Sequence, residues 1–541
     1  MSSGRRLYSF LVLLVASFFL ASCGSESSHP AYYSIGGTVT KLAGSGGGLQ
    51  LQNNGGDTVS VNANGTFTFA TKVQSGHSYN VTVSAQPSAP AQKCGVTSGS
   101  GTATANVTNI TVDCGHNEWT WVGGSNVADQ PGVYGTLGTP APGNVPGARN
   151  SSLRWTDASG NFWLFGGGGY DSAGADGTLN DLWKYSNGQW TWMSGSDVGG
   201  QSGTYGTQGT PGPGNVPGAR TFAVSWTGAS GNLWLFGGFG RDSAGTSGNL
   251  NDLWKCSGGQ WTWMSGSDVV DQPGTYGTQG TPAPGNVPGA RDGAVTWTVA
   301  SGNFWLFGGI QYWAPPWGEF NDLWKYSNGQ WTWIGGSDVV DQPGTYGTQG
   351  TPAPDNVPGA RFYAVSWTDA SGNFWLFGGR GIDSAGTYGE LNDLWKYSGG
   401  QWTWMSGSDV VNQPGTYGTQ GTPAPGNVPG AREVAISWTD ASGNFWLFGG
   451  AGYDSVGTLS GLNDLWKYSG GQWTWMGGSN RVRQSGIYGT QGTPAPGNVP
   501  GARSSPVAWI DPQGNLWLFG GWGYDSVGNV ENINDLWAYE P

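Results

Sequence analysis

The chain is 541 residues long, with 101 Gly, 33 Trp and only 10% charged residues. Glycine this abundant can mark collagen or disorder, but there is no Gly-X-Y period and the aromatic content is too high for a chain that avoids burial. A net charge of −13 argues against a nucleic-acid partner, which needs basic patches to displace counterions.

At the N-terminus Arg5 and Arg6 precede an apolar stretch, Leu7 to Leu20, that is shorter than an ordinary spanning helix. It ends in Leu20-Ala21-Ser22-Cys23, which resembles the bacterial lipoprotein cleavage box. The resemblance implies a signal peptide over residues 1–22, lipid on the Cys23 thiol, and an exported protein held to a membrane of the bacterial cell envelope by its anchor alone. The alternative is an ordinary secretory signal with a chance cysteine. Residues 23–32, with Ser25, Glu26, Ser27 and Ser28, read as a flexible tether.

Residues 33–115 hold few Trp and many Thr, Val and Asn. Alternating segments at Thr58-Val-Ser-Val, Thr66-Phe-Thr-Phe, Tyr79-Asn-Val-Thr-Val and Asn109-Ile-Thr-Val, parted by Gly and Asn turns, predict a small antiparallel β-sandwich. It is similar to the Ig-like or carboxypeptidase-regulatory-like modules of envelope proteins. Cys94 and Cys114 lie within it, and export favours a disulfide between them, worth about 3 kcal/mol on the chain-entropy model.

From residue 118 onward a unit of about 71 residues recurs. Arg149, Arg220, Arg291, Arg361, Arg432 and Arg503 mark its register at spacings of 71, 71, 70, 71 and 71. The first copy predicts strands near Ser151–Trp155, Asn161–Phe165, Asp181–Tyr185 and Gln189–Met193. The last copy lacks its Trp-Thr-Trp strand, while an orphan Trp119-Thr120-Trp121 precedes the first. Four-stranded units repeated in this way predict a β-propeller closed by an N-terminal strand.

The Gly-Gly pair after an apolar strand (Gly166-Gly167), with a Tyr and a Trp in the next hairpin (Tyr185, Trp192), resembles the kelch family across residues 118–541. The resemblance implies an all-β, six-bladed kelch β-propeller of the galactose oxidase-like class. Cys256 departs from it by replacing the Tyr of the other copies, and reads as a buried substitution. The copper site of galactose oxidase needs His ligands, yet His29, His77 and His116 all precede the propeller. No nucleophile motif, phosphate loop or metal-ligand spacing appears, so no cofactor is expected. The Asp-Ser-x-Gly loops at Asp171, Asp242, Asp383, Asp454 and Asp525 contain oxygen ligands but read as ordinary turns.

Five Trp positions per copy account for 30 of the 33, leaving Trp313, Trp317 and Trp522. All three follow a Gly-Gly pair, on the rim that also carries the long links between copies, such as that from about Ser194 to Ala219. Long loops on one side point to that rim as the binding surface. Tyr312, Trp313 and Trp317, on a Pro-stiffened loop, offer an aromatic platform for a sugar ring or an apolar side chain; the alternative is that they cover the rim. The six Arg either hold an anionic ligand at the channel mouth or pair with repeated Asp such as Asp181 and Asp252, tying a blade to its neighbour. The residue after each Arg differs in every copy: Asn150, Thr221, Asp292, Phe362, Glu433 and Ser504. These features predict a non-catalytic module for a glycan or an envelope or extracellular protein. The competing expectations are a sugar enzyme of the epimerase or mutarotase kind, drawing on Asp292 or Glu433, and a purely structural surface protein.

Overall fold

The computed structural model describes residues 30–42, 48–87, 93–228, 231–298, 303–315, 317–495 and 497–541. The expected signal peptide, Cys23 and most of the expected tether lie outside the described residues. The chain divides into two compact units, one containing Cys94–Cys114 and the segment that ends at Ala89, the other containing Gly115–Pro541. No helix occurs among the described residues.

The first unit places two four-stranded sheets around one core built from Ile35, Val39, Leu51, Phe67, Val81, Ile110 and Val112. A disulfide joins Cys94 to Cys114 inside that core. The expected all-antiparallel pairing is wrong at one place, because Val107–His116 lies parallel to Ile35–Thr40. Gly37 permits this: a Cβ there would run into the Ile110 carbonyl, so only glycine lets the two strands approach.

Among the described residues the second unit forms seven antiparallel sheets, one for each of the six repeats and a separate two-stranded one of Ile310–Gln311 and Gly318–Glu319 in the third. In the first, Gln189–Ser194 pairs with Asp176–Ser186, which pairs with Phe162–Tyr170. That strand in turn pairs with two short inner segments, Arg149–Asn150 and Leu153–Thr156. Phe162–Tyr170 thus runs through Gly166-Gly167, beyond the end at Phe165 that the sequence suggested, whereas in the third copy the strand stops at Phe307. The inner segments pack side by side in cyclic order, and the sixth, Val507–Ile510, packs on the first. The repeated four-stranded antiparallel sheets are consistent with a propeller.

Trp drives this packing. Trp226 stacks on Phe304 of the next sheet at 3.4 Å, Trp297 on Phe374 at 3.5 Å and Trp367 on Phe445 at 3.6 Å. Large aromatic faces bury much area and fix the separation of the sheets. The first glycine of the pair serves the same contact: a Cβ on Gly166 would sit 3.0 Å from the Arg220 carbonyl of the next sheet, and its φ is +61°.

Glu118–Gly123 supplies the outer strand of the last sheet, pairing Trp119 with Tyr539 and Trp121 with Trp537. A ring of main-chain hydrogen bonds runs through the inner segments as well. The Ser151 amide donates to Ser505, Ser505 to Val434, Val434 to Tyr363, Tyr363 to Gly293, Gly293 to Phe222, and Phe222 back to Ser151, at 2.8 to 3.2 Å. All six residues have positive φ, between 49° and 63°.

The links between sheets are not free rim loops, as the sequence led one to expect. In the first link Tyr205 donates to Asp252, the Gly209 amide to the Trp263 carbonyl, and Asn215 to the Trp261 carbonyl. The link therefore clasps the outer strand of the following sheet and covers an edge that would otherwise expose unpaired backbone groups.

Candidate functional site

The six arginines are not ligand groups. Each guanidinium is buried and spent inside its own sheet. Arg149 donates to both oxygens of Asp181 at 2.7 and 2.8 Å, to the Gly166 carbonyl and to the Gly147 carbonyl. Tyr134 and Trp183 donate to the same carboxylate at 2.6 and 2.7 Å. The pattern recurs at Arg220–Asp252, Arg291–Asp322, Arg361–Asp393, Arg432–Asp464 and Arg503–Asp535. A buried ion pair is tolerable when further hydrogen bonds surround it, as the carbonyls of Gly147 and Gly166 and the donors of Tyr134 and Trp183 do here. The expected tie to a neighbouring blade is therefore corrected: the side chain stays within its sheet, and the Arg main-chain carbonyl makes the cross-sheet contact, as from Gly238 to Arg291.

The Asp-Ser-x-Gly aspartates are also occupied. Asp171 Oδ1 accepts from the amides of Ala173 and Ala175, and Oδ2 from Gly199. Although burial opposes it, these hydrogen bonds hold the carboxyl below its ordinary range. Cys256 is buried beside Trp261, and burial pushes its thiol up to about 11, which makes it inert.

The three extra tryptophans are exposed, at 61%, 62% and 42% for Trp313, Trp317 and Trp522. Trp313 packs on Phe239 of the preceding sheet at 5.6 Å, and Tyr312 meets Phe362 of the following sheet edge-on at 6.2 Å. Beneath them the loop is anchored by polar groups. The Tyr312 amide donates to Asn249, and the Trp313 amide to the buried Gln311. Trp522 stands apart, on the sixth sheet opposite Ser504.

Around this loop the variable positions of neighbouring sheets converge. Asp292 is 4% exposed; its Oδ2 accepts from Asn249 at 3.0 Å, while Oδ1 accepts no hydrogen bond of good geometry. Burial pushes its carboxyl up to about 7, opposed by Asn249 and by the neighbouring Tyr363 phenol. Glu433 is likewise pushed up to about 7 by burial, with Arg380 pulling the other way and Glu390 reinforcing the rise. Arg380 bridges Glu390 and Glu433 at 3.6 and 3.7 Å and lies over the Tyr388 ring. Burial and its neighbour Asp341 push Glu319 up to about 8.

Tyr363 joins these groups. Its ring packs against Phe222 at 4.4 Å and Phe362 at 4.6 Å. Its phenol is raised by burial first and then by the charges of Asp292, Tyr312 and Glu433, so both carboxyls act on one side chain. Of this cluster, sequence reasoning had singled out Tyr312, Trp313, Trp317, Asp292 and Glu433, and missed Tyr363, Arg380, Glu319 and Asn249. Arg380 was findable: it occupies the register position held elsewhere by Gly168, Phe239, Ala451 and Trp522, a column that varies as freely as the one after each Arg.

No family model and no curated protein matches the sequence. Among solved structures the chain is similar to YjhT, at a TM-score of 0.41 and 15% identity over 74% of this chain and 95% of that one. It is also similar to a fungal alcohol oxidase of the AA5 family in complex with copper, at 0.38 and 15% over 72% and 62%.

Proposed function

We propose that residues 118–541 form a six-bladed kelch β-propeller that binds a saccharide at the mouth formed by its third, fourth and fifth blades, without catalysing a reaction. The observation that carries this reading is the exposed Tyr312, Trp313 and Trp317 loop set beside a buried polar cluster. Aromatic faces cover the apolar side of a sugar ring while carboxylates and amides take its hydroxyls. The protein is exported and anchored through lipid on Cys23, so the mouth meets glycans of the envelope or its surroundings. Calorimetric titration of the full chain against a panel of saccharides tests this; binding must be lost in Trp313→Ala/Trp317→Ala. A Cys23→Ser chain should leave the membrane fraction.

A second reading, acid–base chemistry on the bound sugar in the manner of an epimerase or mutarotase, is favoured by one observation. Asp292 and Glu433 both hold protons up to about 7, close to the range a general acid or base needs at neutral pH. Accelerated anomer interconversion, lost in Glu433→Gln while sugar binding persists, would establish it.

A further inference from the structure

We propose that this mouth selects a saccharide bearing a free, protonated amine, with the ammonium beside Glu433 and the Tyr312 and Tyr363 rings and in the field of Asp292. The inference rests on the reading of the mouth as a sugar site and names the class of sugar.

The first ground is charge. Asp292, Glu319, Glu390 and Glu433 come from three adjacent sheets onto one mouth, and Arg380 is the cation that faces them. One guanidinium serves Glu390 and Glu433 at 3.6 and 3.7 Å and also acts on Glu319, while among the described residues no ion pair reaches Asp292. An ammonium would let these buried carboxyls release their protons and pair with it, whereas a neutral or acidic sugar offers them no compensating charge.

The second ground is the Asp292 side chain. It is 4% exposed, hydrogen-bonded through one oxygen to Asn249, and its other oxygen takes no hydrogen bond of good geometry. A buried carboxylate oxygen served only by a poorly aligned phenol, that of Tyr363, is costly, and the same phenol also feels Glu433. The raised affinity of Asp292, Glu433 and Glu319 for protons is what such a site shows before a cation arrives.

The third ground separates an amine from a bare metal ion. Among the described residues no three acidic, His or Cys side chains converge closely enough to hold a metal. The carboxyls are spread around tyrosine rings, an arrangement that suits an organic cation, which takes hydrogen bonds on one side and ring faces on another.

The test is calorimetric titration of the full chain at neutral pH with glucosamine, N-acetylglucosamine and glucose, which share one ring and differ at a single position. Glucosamine should bind at least tenfold more tightly than the other two. Glu433→Gln, and separately Asp292→Asn, should bring the affinity for glucosamine down to that for glucose and N-acetylglucosamine, with unchanged far-ultraviolet circular dichroism confirming the fold. Equal binding of all three sugars would overturn the amine preference and leave the saccharide reading standing. Binding of none, by parent chain and variants alike, would remove both.

Discussion

The Ser151 amide donates its hydrogen to the Ser505 carbonyl, joining the first repeat to the sixth through main chain alone. Five equivalent bonds complete the circuit, and each is made by a residue in the left-handed region. Because no side chain takes part, Ser, Phe, Gly, Tyr and Val all occupy this position without breaking the ring. The side chains at the mouth are thereby free to differ.

That freedom carries a conformational cost. Val434 is β-branched and sits at φ +49°, where L residues are strained by about 1–2 kcal/mol. Val434→Gly should stabilise the chain or leave it unchanged, with a gain of up to about 1 kcal/mol after the added freedom of glycine in the unfolded state is subtracted. Urea denaturation measures this; a loss beyond 1 kcal/mol would mean the valine side chain contributes packing that outweighs its strain.

The outer strand Glu118–Gly123 should matter far more. Trp119 is 4% exposed and packs on Phe448, Trp537 and Tyr539 with ring centroids 5.0 to 6.4 Å apart. Trp119→Ala should cost about 3–5 kcal/mol, as for other buried tryptophans, and lower the melting temperature accordingly. An unchanged melting temperature would sink the idea that this strand completes the last sheet.

Removing one member of a buried ion pair leaves the other uncompensated. Asp252→Ala should destabilise by about 3–5 kcal/mol, since Arg220, Tyr205 and Trp254 all lose their acceptor. Arg220→Met/Asp252→Leu should recover much of that loss. Equal stability of single and double variants would show that the hydrogen bonds of Tyr205 and Trp254, rather than charge, dominate.

Asp292 and Glu433 set a pH dependence of definite sign. Both keep their protons up to about 7 in the folded chain, against about 4 when unfolded. The folded chain thus binds more protons between those values, and stability falls as pH rises through that window. Asp292→Asn should flatten the slope and be the more stable protein above pH 7, by at most about 4 kcal/mol. Melting temperatures across that range decide the matter; an identical slope in the variant would show that Asp292 ionises freely.

Trp313 and Trp317 are more than half exposed, so replacing either with Ala should change stability by no more than about 0.5 kcal/mol. Saccharide binding should nevertheless disappear. Loss of fold in either variant would instead assign the platform to structure.

The repeat made the sheets readable, because copying turned each strand into six independent sightings of the same pattern. Trp arithmetic then isolated Trp313, Trp317 and Trp522, and all three are exposed. The site was less legible, since it is built from columns of the repeat rather than from neighbours in the chain. Asp292 meets Asn249 of the preceding sheet and Tyr363 of the following one, and no spacing in one copy announces that meeting. The arginines were half legible: their pairing with Asp181 and Asp252 was readable from the repeat, but that each pair closes within its own sheet rather than across to a neighbour was not.

The sheet shared by Glu118–Gly123 and Val530–Glu540 also sets a timetable. The first of its strands to leave the ribosome must wait until Val530–Glu540 has been made before it finds its partner, so this sheet cannot be completed before then. Until then Trp119 has no Tyr539 to lie against, and the growing chain stays open along that seam.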